Sequence, residues 1–532
     1  MYLPTSKSLC PQIPNPNSSM IDCLSSQAIA TAAQMHAIEH LIFQAGMPVA
    51  ALMEKVALRI TQRLTELYPT QNYRRIGILV GSGHNGGDAL VVARELHHQG
   101  RQVKIYRPFA KSKPLTRVHG CYAKSLGIPF VELEALQDCD LIVDGIFGFG
   151  LERDINGDVA NAIHTINNWQ IPVLSIDLPS GIHTDRGDIM GVALQTTHTF
   201  CLGLWKRGLL TETATPYVGK LERIGFDIPE QFIDQVLGEE HSLWLIEPQI
   251  LHNRLPIARN PIAHKYEIGH LLLVVGSQKY GGAGLLTAMG AKATGVGMLS
   301  IAVPHSLKPL ILAQVPDAIV IGCPETASGA IAELPNLDLA KYQAIVCGCG
   351  LSLEARPVVK QIIDSDLPLV LDADGLNALA FLDKAAGLDH LQSRKNPVIL
   401  TPHWGEFCQL FPELRTVERI EALQKAVTLT QSTILLKGAK TAIAFPHNTS
   451  SQVWINPEST PALARGGSGD VLAGMLGGLL AQGMAANDVA ITGTLWHSQT
   501  AIWLTKQRTE MGVDPVTLAQ NLLPFIGQKI YR

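Results

Sequence analysis

The pattern that most constrains this chain recurs along nearly its whole length: a short apolar run, a turn of glycine and aspartate, then a helical stretch. In the first half Ile76-Gly-Ile-Leu-Val80 runs into Gly81-Ser-Gly83-His84-Asn85-Gly86-Gly87-Asp88 and a helix to about Gln99. Val103-Lys-Ile-Tyr106, Leu141-Ile-Val-Asp144 and Val173-Leu-Ser-Ile-Asp177 read as further strands. The stretch from Ser26 to Tyr68 is helical by spacing, with Ala50, Met53, Ala57, Ile60 and Leu64 on one face. In the second half the runs are Gly269 to Gly276, Met298 to Val303, Ala344 to Gly348, Leu367 to Asp372, Val398 to Leu400 and Thr433 to Lys437. Strands that are apolar on both faces must be covered on both, and short strand–helix loops permit mainly parallel pairing. The fold class this predicts is α/β.

A chain of 532 residues exceeds one ordinary core, so two domains are expected. Between Ile228 and Ala263 the periodicity fades and Pro229, Pro248, Pro256 and Pro261 gather, which puts the boundary there. The division is a tail over 1–25, a first domain over 26–236, a linker over 237–262 and a second domain over 263–532. The tail is rich in Pro, Ser and Asn and lacks a basic segment leading into an apolar core, so it is not a signal peptide. Gly281 to Pro304 carries Lys292 and many glycines, which suits an α/β core better than a membrane span. A net charge of −4, spread along the chain, offers no footprint for nucleic acid or membrane. The nine cysteines are odd in number and scattered, with Cys347 and Cys349 read as two buried thiols, and a reducing cytoplasm fits them.

Chemistry concentrates in the turns. Ala464-Arg465-Gly466-Gly467-Ser468-Gly469-Asp470 precedes an apolar helical run, so its glycines lie at a helix N-terminus, where unpaired N–H groups favour an anion. Asp470 would be repelled by a phosphate unless it has a proton to move, and a base beside an anion hole is a plan for phosphoryl transfer. Read alone, the same run is a glycine loop with an aspartate cap. Lys437-Gly438-Ala439-Lys440-Thr441 lacks the Walker spacing yet suits a nucleotide phosphate; alone it is a solvated turn. His403 alone reads as a capping or packed histidine. In the first half Gly81-x-Gly83-x-x-Gly86 matches the dinucleotide fingerprint, but the next strand ends Tyr106-Arg107 and not in an acid, which disfavours an ordinary dehydrogenase. Asp88, Asp144 and Asp177 sit at or just beyond strand ends, where open α/β sheets bind ligands. Asn85, Asp144 and Ser180 offer hard oxygen ligands for a cation.

Gly83-His-Asn-Gly-Gly-Asp88, Asp144-x-x-x-Gly-Phe-Gly-Leu-x-Arg153, Asp177-Leu-Pro-Ser-Gly181 and Leu52-Met53-Glu54 together resemble the NAD(P)H-hydrate epimerase family over roughly residues 28–230. The resemblance implies a Rossmann-like doubly wound sheet in which His84, Asn85, Gly86, Gly87 and Asp88 contact the hydrated dinucleotide. Gly148, Phe149, Gly150, Leu151, Glu152, Arg153 and Asp154 would touch it as well. Asp177 would bind it and act as acid/base, and Asn85, Asp144 and Ser180 would hold K+. Over roughly 255–530 the chain resembles the ribokinase-like NAD(P)H-hydrate dehydratase family. The matching stretches are His264-Lys265-Tyr266, Tyr280 to Gly284, Asp372-Ala-Asp-Gly-Leu-Asn-Ala378, Thr401-Pro-His-x-Gly-Glu-Phe407, Leu436-Lys-Gly-Ala-Lys-Thr441 and Gly466-Gly-Ser-Gly-Asp470. Here the resemblance implies Asp470 as catalytic base, and Ala283, Gly350, His403 and Asp470 around the hydrate. Lys437, Gly438, Ala439, Lys440, Thr441 and Gly469 would surround ADP or ATP with Mg2+. The family usually has Thr where Arg465 stands, Asn where His84 stands and Thr where Phe149 stands.

These resemblances imply two three-layer αβα domains and one task, the repair of NADH or NADPH that has added water across a nicotinamide double bond. The first domain would interconvert the R and S hydrates, and the second would dehydrate the S form at the expense of ADP or ATP. The expected partners are NADH-hydrate, NADPH-hydrate and ADP/ATP, with no nucleic acid and no membrane; the reading is compatible with a homo-oligomer. The alternative is a ribokinase-like small-molecule kinase fused to a non-catalytic nucleotide-binding module.

Overall fold

A computed structural model describes residues 27–238, 241–382, 384–448 and 450–530. The chain divides into two compact units, Met1–Glu239 and Glu240–Arg532. The tail expected over 1–25 lies outside the described residues.

The first unit is built on six parallel strands in the order Gln102–Tyr106, Arg75–Val80, Leu141–Gly145, Val173–Ile176, His198–Leu202 and Lys220–Ile224. Successive side chains on a strand point to opposite faces. Leu79, Ile142 and Val173 turn one way and pack with Ile163 and Ile166 of helix Gly157–Asn167. On the other face Gly145 lies against Ala89 of helix His84–His98, where an added Cβ would come within 2.4 Å of the Ala89 Cβ. The long helix expected up to Tyr68 is two, Ala32–Gln44 and Val49–Leu67, because Gly46 takes a left-handed turn at φ 103° and Pro48 caps the second.

The second unit holds a sheet of ten strands. Its order is Ile319–Cys323, Met298–Pro304, His270–Val274, Ala344–Cys347, Leu369–Leu371, Val398–Leu400, Thr433–Leu436, Ala442–His447, Ser450–Ile455 and Leu243–Leu245. Pairing is parallel except where Ala442–His447 meets its two neighbours. Leu272, Cys347, Leu371 and Leu400 face helices Arg356–Ile363, Asp374–Phe381 and Arg419–Thr430. On the opposite face Gly477 of helix Ser468–Ala481 sits against Val346 and Leu271. Both units are therefore sheets sandwiched between helices, the expected α/β class.

Part of the expected linker over 237–262 belongs to the second unit instead. Leu243–Leu245 pairs with Ser450–Ile455, Trp244 stacks on Trp454 with ring centroids 6.1 Å apart, and helix Ile250–Arg254 follows. Three residues between prolines are too few to show a period, so the edge strand could not be read. Of the run Gly281 to Pro304, Gly281–Ala293 is a helix and Met298–Pro304 a strand. Among the described residues no single helix is long and apolar enough to cross a membrane.

Candidate active sites

In the first sheet, strand Arg75–Val80 is flanked by Gln102–Tyr106 on one side and Leu141–Gly145 on the other, so the chain reverses its direction of travel there. Such a switch point opens a crevice beyond the strands' C-terminal ends. Gly81 makes it tight, because a Cβ there would come within 1.8 Å of the Ile146 carbonyl oxygen. A cleft of about 610 Å³ occupies the crevice, and His84, Asn85, Asp88, Asp177 and the run Gly148 to Asp154 all line it. Gly86 and Gly87 do not. Their missing side chains let helix His84–His98 approach the Gly81 carbonyl and the Met53 thioether, where a Cβ would come within 2.1 and 2.6 Å.

Asp177 follows strand Val173–Ile176 in a left-handed conformation, φ 72°, that costs on the order of 1–2 kcal/mol for a residue with a Cβ. What holds it there is an array of donors. The Lys206 ammonium lies 2.7 Å from Oδ1, the Leu202 amide donates to Oδ1 at 3.2 Å, and the Phe149 amide donates to Oδ2 at 3.1 Å. Lys206 also donates to the Leu202 carbonyl and is 1% exposed. Burial opposes its charge, but Asp177, joined by Cys201 and Glu39, more than offsets burial and keeps the ammonium above its ordinary range. The Phe149 ring lies 5.5 Å from this ammonium and 4.6 Å from the His36 ring, covering the pair. Glu39, on helix Ala32–Gln44, lines the same cleft, and burial pushes its carboxyl up to about 7 against the pull of Lys206. Burial also holds the Asp88 carboxyl well above its usual range.

Asp144 and Ser180 lie beneath the cleft floor, fully buried. Asp144 accepts from the Ser175 and Ser180 hydroxyls at 2.7 Å each, from the Ser180 amide at 2.9 Å and from the Ile146 amide at 3.1 Å. Burial raises its carboxyl even so, and among the described residues no basic side chain pairs with it. A buried carboxylate with no counter-ion and the Ser175 and Ser180 hydroxyl oxygens beside it is a set of hard oxygens that fits a monovalent cation.

The second sheet has its switch point at His270–Val274, flanked by Met298–Pro304 and Ala344–Cys347. Gly348, Cys349 and Gly350 leave the second of these strands. Gly350, at φ 67°, packs so closely that a Cβ would come within 2.8 Å of Ala283 and 2.9 Å of Tyr280. Helix Ser468–Ala481 points its N-terminus into this crevice, with Gly467 at φ 101° as cap and Asp470 in the first turn. The helix end ordinarily favours a charged carboxylate. Burial and the like charge of Asp372 override that preference and raise Asp470 to about 6. Asp470, Asp372 and the Cys349 thiol offer ligand atoms within 4.8 Å of one another. The Lys437 ammonium is 2.7 Å from Asp372 and would lie 3.6 Å from a Cβ on Gly469, which sets a cation over the glycine turn. Hard carboxylate oxygens at that spacing fit a Mg2+ carried in with a nucleotide. Burial pushes the Cys349 thiol well above its ordinary range, so it stays protonated and unreactive.

The remaining expected residues divide. His403 caps helix Trp404–Leu410, its Nδ1 accepting from the Gly405 and Glu406 amides at 3.0 and 3.3 Å, while its ring stays exposed at the mouth beside Lys437. Gly438 and Ala439 are exposed at the turn. Lys440 reaches the Pro457 carbonyl at 2.5 Å, and the Thr441 hydroxyl closes the turn on the Gly438 carbonyl at 3.1 Å. Arg465 donates to the Met511 carbonyl at 2.8 Å, so it neither crowds the glycines nor points at them. Residues that reasoning from sequence passed over are Lys206 and Glu39; Cys349 is the buried thiol it was read as, and it stands beside Asp470. For Lys206 a signal existed: a lysine inside the apolar stretch Leu202 to Leu210 needs a buried partner.

Residues 271–524 match the family model described as NAD(P)H-hydrate dehydratase, and residues 49–208 match that of the YjeF-related protein N-terminus. The bifunctional NAD(P)H-hydrate repair enzyme Nnr of Synechocystis sp. is 51% identical over 506 residues, covering 94% of this chain and 95% of the relative. That of Thermosynechococcus vestitus is 51% identical over 507 residues, covering 94% and 98%. Among solved structures, the ADP/ATP-dependent NAD(P)H-hydrate dehydratase of Bacillus subtilis, co-crystallised with ATP/Mg2+, is 30% identical with a TM-score of 0.44. It covers 55% of this chain and 98% of that one.

Proposed function

This chain belongs to the family of bifunctional NAD(P)H-hydrate repair enzymes, an epimerase joined to an ADP/ATP-dependent dehydratase, and from that premise we propose how its two sites divide the work.

In the second unit Asp470 takes the proton of the hydrate's hydroxyl as that oxygen attacks the terminal phosphoryl group. Hydroxide leaves poorly and a phosphorylated hydroxyl leaves readily, so phosphorylation converts a stable hydrate into one that eliminates. A base works best with a pKa near the operating pH, and the raised carboxyl of Asp470 moves towards it. The amides that open helix Ser468–Ala481 and the Lys437 ammonium stabilise charge gathering on the phosphoryl oxygens. Ala283, Gly350 and His403 bound the hydrate; the turn Lys437 to Thr441 and Gly469 seat the nucleotide. Mg2+, held beside Asp372 and Asp470, would neutralise phosphate charge.

In the first unit Asp177 exchanges protons with the hydrate, while His84, Asn85, Asp88 and Gly148 to Asp154 hold the dinucleotide and Gly86 and Gly87 serve only to seat the helix. K+ at Asn85, Asp144 and Ser180 would offset the buried charge of Asp144 and steady the turn that carries Asp177. A membrane-free cytoplasmic setting completes the reading.

The observation that carries it is Asp470 at the mouth of a glycine-led helix, beside a lysine–aspartate pair. With S hydrate and ATP, Asp470→Asn should cut NADH recovery by ~10²–10⁴-fold. Turnover close to wild type would remove Asp470 as the base. Accumulation of a stable phosphorylated product in the wild type would favour an ordinary kinase.

A further inference from the structure

Epimerisation asks for more than Asp177 offers. The double bond that hydrates is an enamine, so water's oxygen joins the carbon next to the ring nitrogen, and the epimers differ only in which face carries it. Exchanging faces breaks one C–O bond and makes another on the opposite side. The departing oxygen must gain a proton and the arriving one must lose a proton, so two groups of opposite protonation serve better than one.

Asp177 is built to accept: an ammonium and two amides already donate to it. Lys206 is committed to that pair. Glu39 differs from both. It comes from another element, helix Ala32–Gln44, and lines the same cleft. It is half-buried, and among the described residues it makes no hydrogen bond or ion pair. Lys206 and Lys113 act on this carboxyl only through space, and no described group of the protein is hydrogen-bonded to it, so its proton is free to pass to a bound substrate.

We propose that Glu39 is the second proton-transfer residue of the epimerase site, the acid to Asp177's base. This rests on the epimerase reading above. Glu39 as carboxylic acid gives its proton to the hydroxyl; the C–O bond breaks with its electron pair on oxygen, water departs, and the nitrogen lone pair closes a C=N bond. Asp177 takes a proton from water as its oxygen attacks the other face; the new C–O bond forms and the C=N pair returns to nitrogen. One proton has passed from Glu39 to Asp177, and exchange with solvent or a turnover in reverse resets both.

The electrostatics agree. Glu39 faces Lys206 and Asp177, Lys113 ahead of helix Pro114–Ser125, Asp88 of helix His84–His98 and His36 one turn back on its own helix. Burial outweighs the two lysines and leaves the acid form populated up to a pH of about 7. Epimerisation should therefore fall as pH rises through about 7.

The test uses the full chain without nucleotide, which silences the dehydratase, and follows pure R hydrate to the S form by chromatography. Glu39→Gln should lower kcat ~10²-fold or more with KM changed by less than a few-fold, and should erase the pH limb near 7. Glu39→Asp should recover part of the rate and keep a limb, and it carries the test alone if the glutamine variant does not fold. A glutamine variant with wild-type kcat and an intact limb overturns the assignment, as does an aspartate variant whose limb is unmoved and whose rate equals the glutamine variant's. Wild-type protein that leaves the R hydrate to its uncatalysed rate sinks the epimerase reading itself, a different result.

Discussion

A carboxylate at the positive end of a helix should ionise more easily, and Asp470 does the reverse. Burial and Asp372 win over the helix end. The same imbalance has a thermodynamic sign. A carboxyl whose pKa is raised on folding, here from 3.8 to about 6, favours the folded state below the lower value and loses that favour as pH rises through the upper one. Asp470→Asn should thus stabilise the second unit above pH 6 by roughly 1–3 kcal/mol, with no gain below pH 4. Thermal melts across that range check it. The Asp177–Lys206 pair carries the opposite expectation. Asp177→Asn strands an ammonium that is 1% exposed and should cost about 3–5 kcal/mol, while Asp177→Asn with Lys206→Met should recover most of the loss. Denaturant unfolding of the two variants measures the difference. At this scale the sequence was readable where the backbone itself does chemistry. Gly466 to Asp470 and Asp177-Leu-Pro-Ser-Gly181 announce themselves because few other folds need such residues. Glu39 was not readable, since a glutamate on an amphipathic helix looks the same whether it faces water or a cleft.

At the level of elements, both sites sit where a sheet changes its direction of winding, and glycine decides how closely the pieces approach. Helices Gly281–Ala293 and Ser468–Ala481 meet through Gly290 and Gly474. A Cβ on Gly474 would come within 1.9 Å of the Thr287 carbonyl oxygen, and one on Gly290 within 2.1 Å of the Val471 carbonyl oxygen. The neighbours are backbone and cannot yield without moving a helix. Gly474→Ala should cost about 1–3 kcal/mol and depress dehydration, because the displaced helix carries Asp470. Epimerisation in the same protein should be unchanged, and paired assays with a melt test this. Most of the parallel strands were legible because burial on both faces leaves mainly apolar residues, although His198–Leu202 and Ile319–Cys323, also parallel, were passed over. The strands Lys220–Ile224 and Ser450–Ile455 were not legible either. Each lies near a sheet margin and carries polar residues that serve solvent or ion pairs, as Glu222 does for Arg63, and these blur the alternation.

For the whole chain, division of labour implies separability. Given mixed hydrates and ATP, protein carrying Asp177→Asn with Lys206→Met should restore reduced-nicotinamide absorbance only to the S fraction, apart from slow uncatalysed epimerisation. Protein carrying Asp470→Asn should restore almost none, and mixing the two should return full recovery. Failure of the mixture would mean that the hydrate does not travel freely between molecules. The placement of the boundary was legible only to within the proline-rich stretch. Inside it the Leu243–Leu245 strand hid, and that strand has a practical edge. Whoever severs the gene to produce the dehydratase alone should cut upstream of residue 241. A start at 263 would shear the outermost ribbon from its sheet, bare the Ser450–Ile455 backbone and the Trp454 face, and hand the product a sticky seam along which copies could clump.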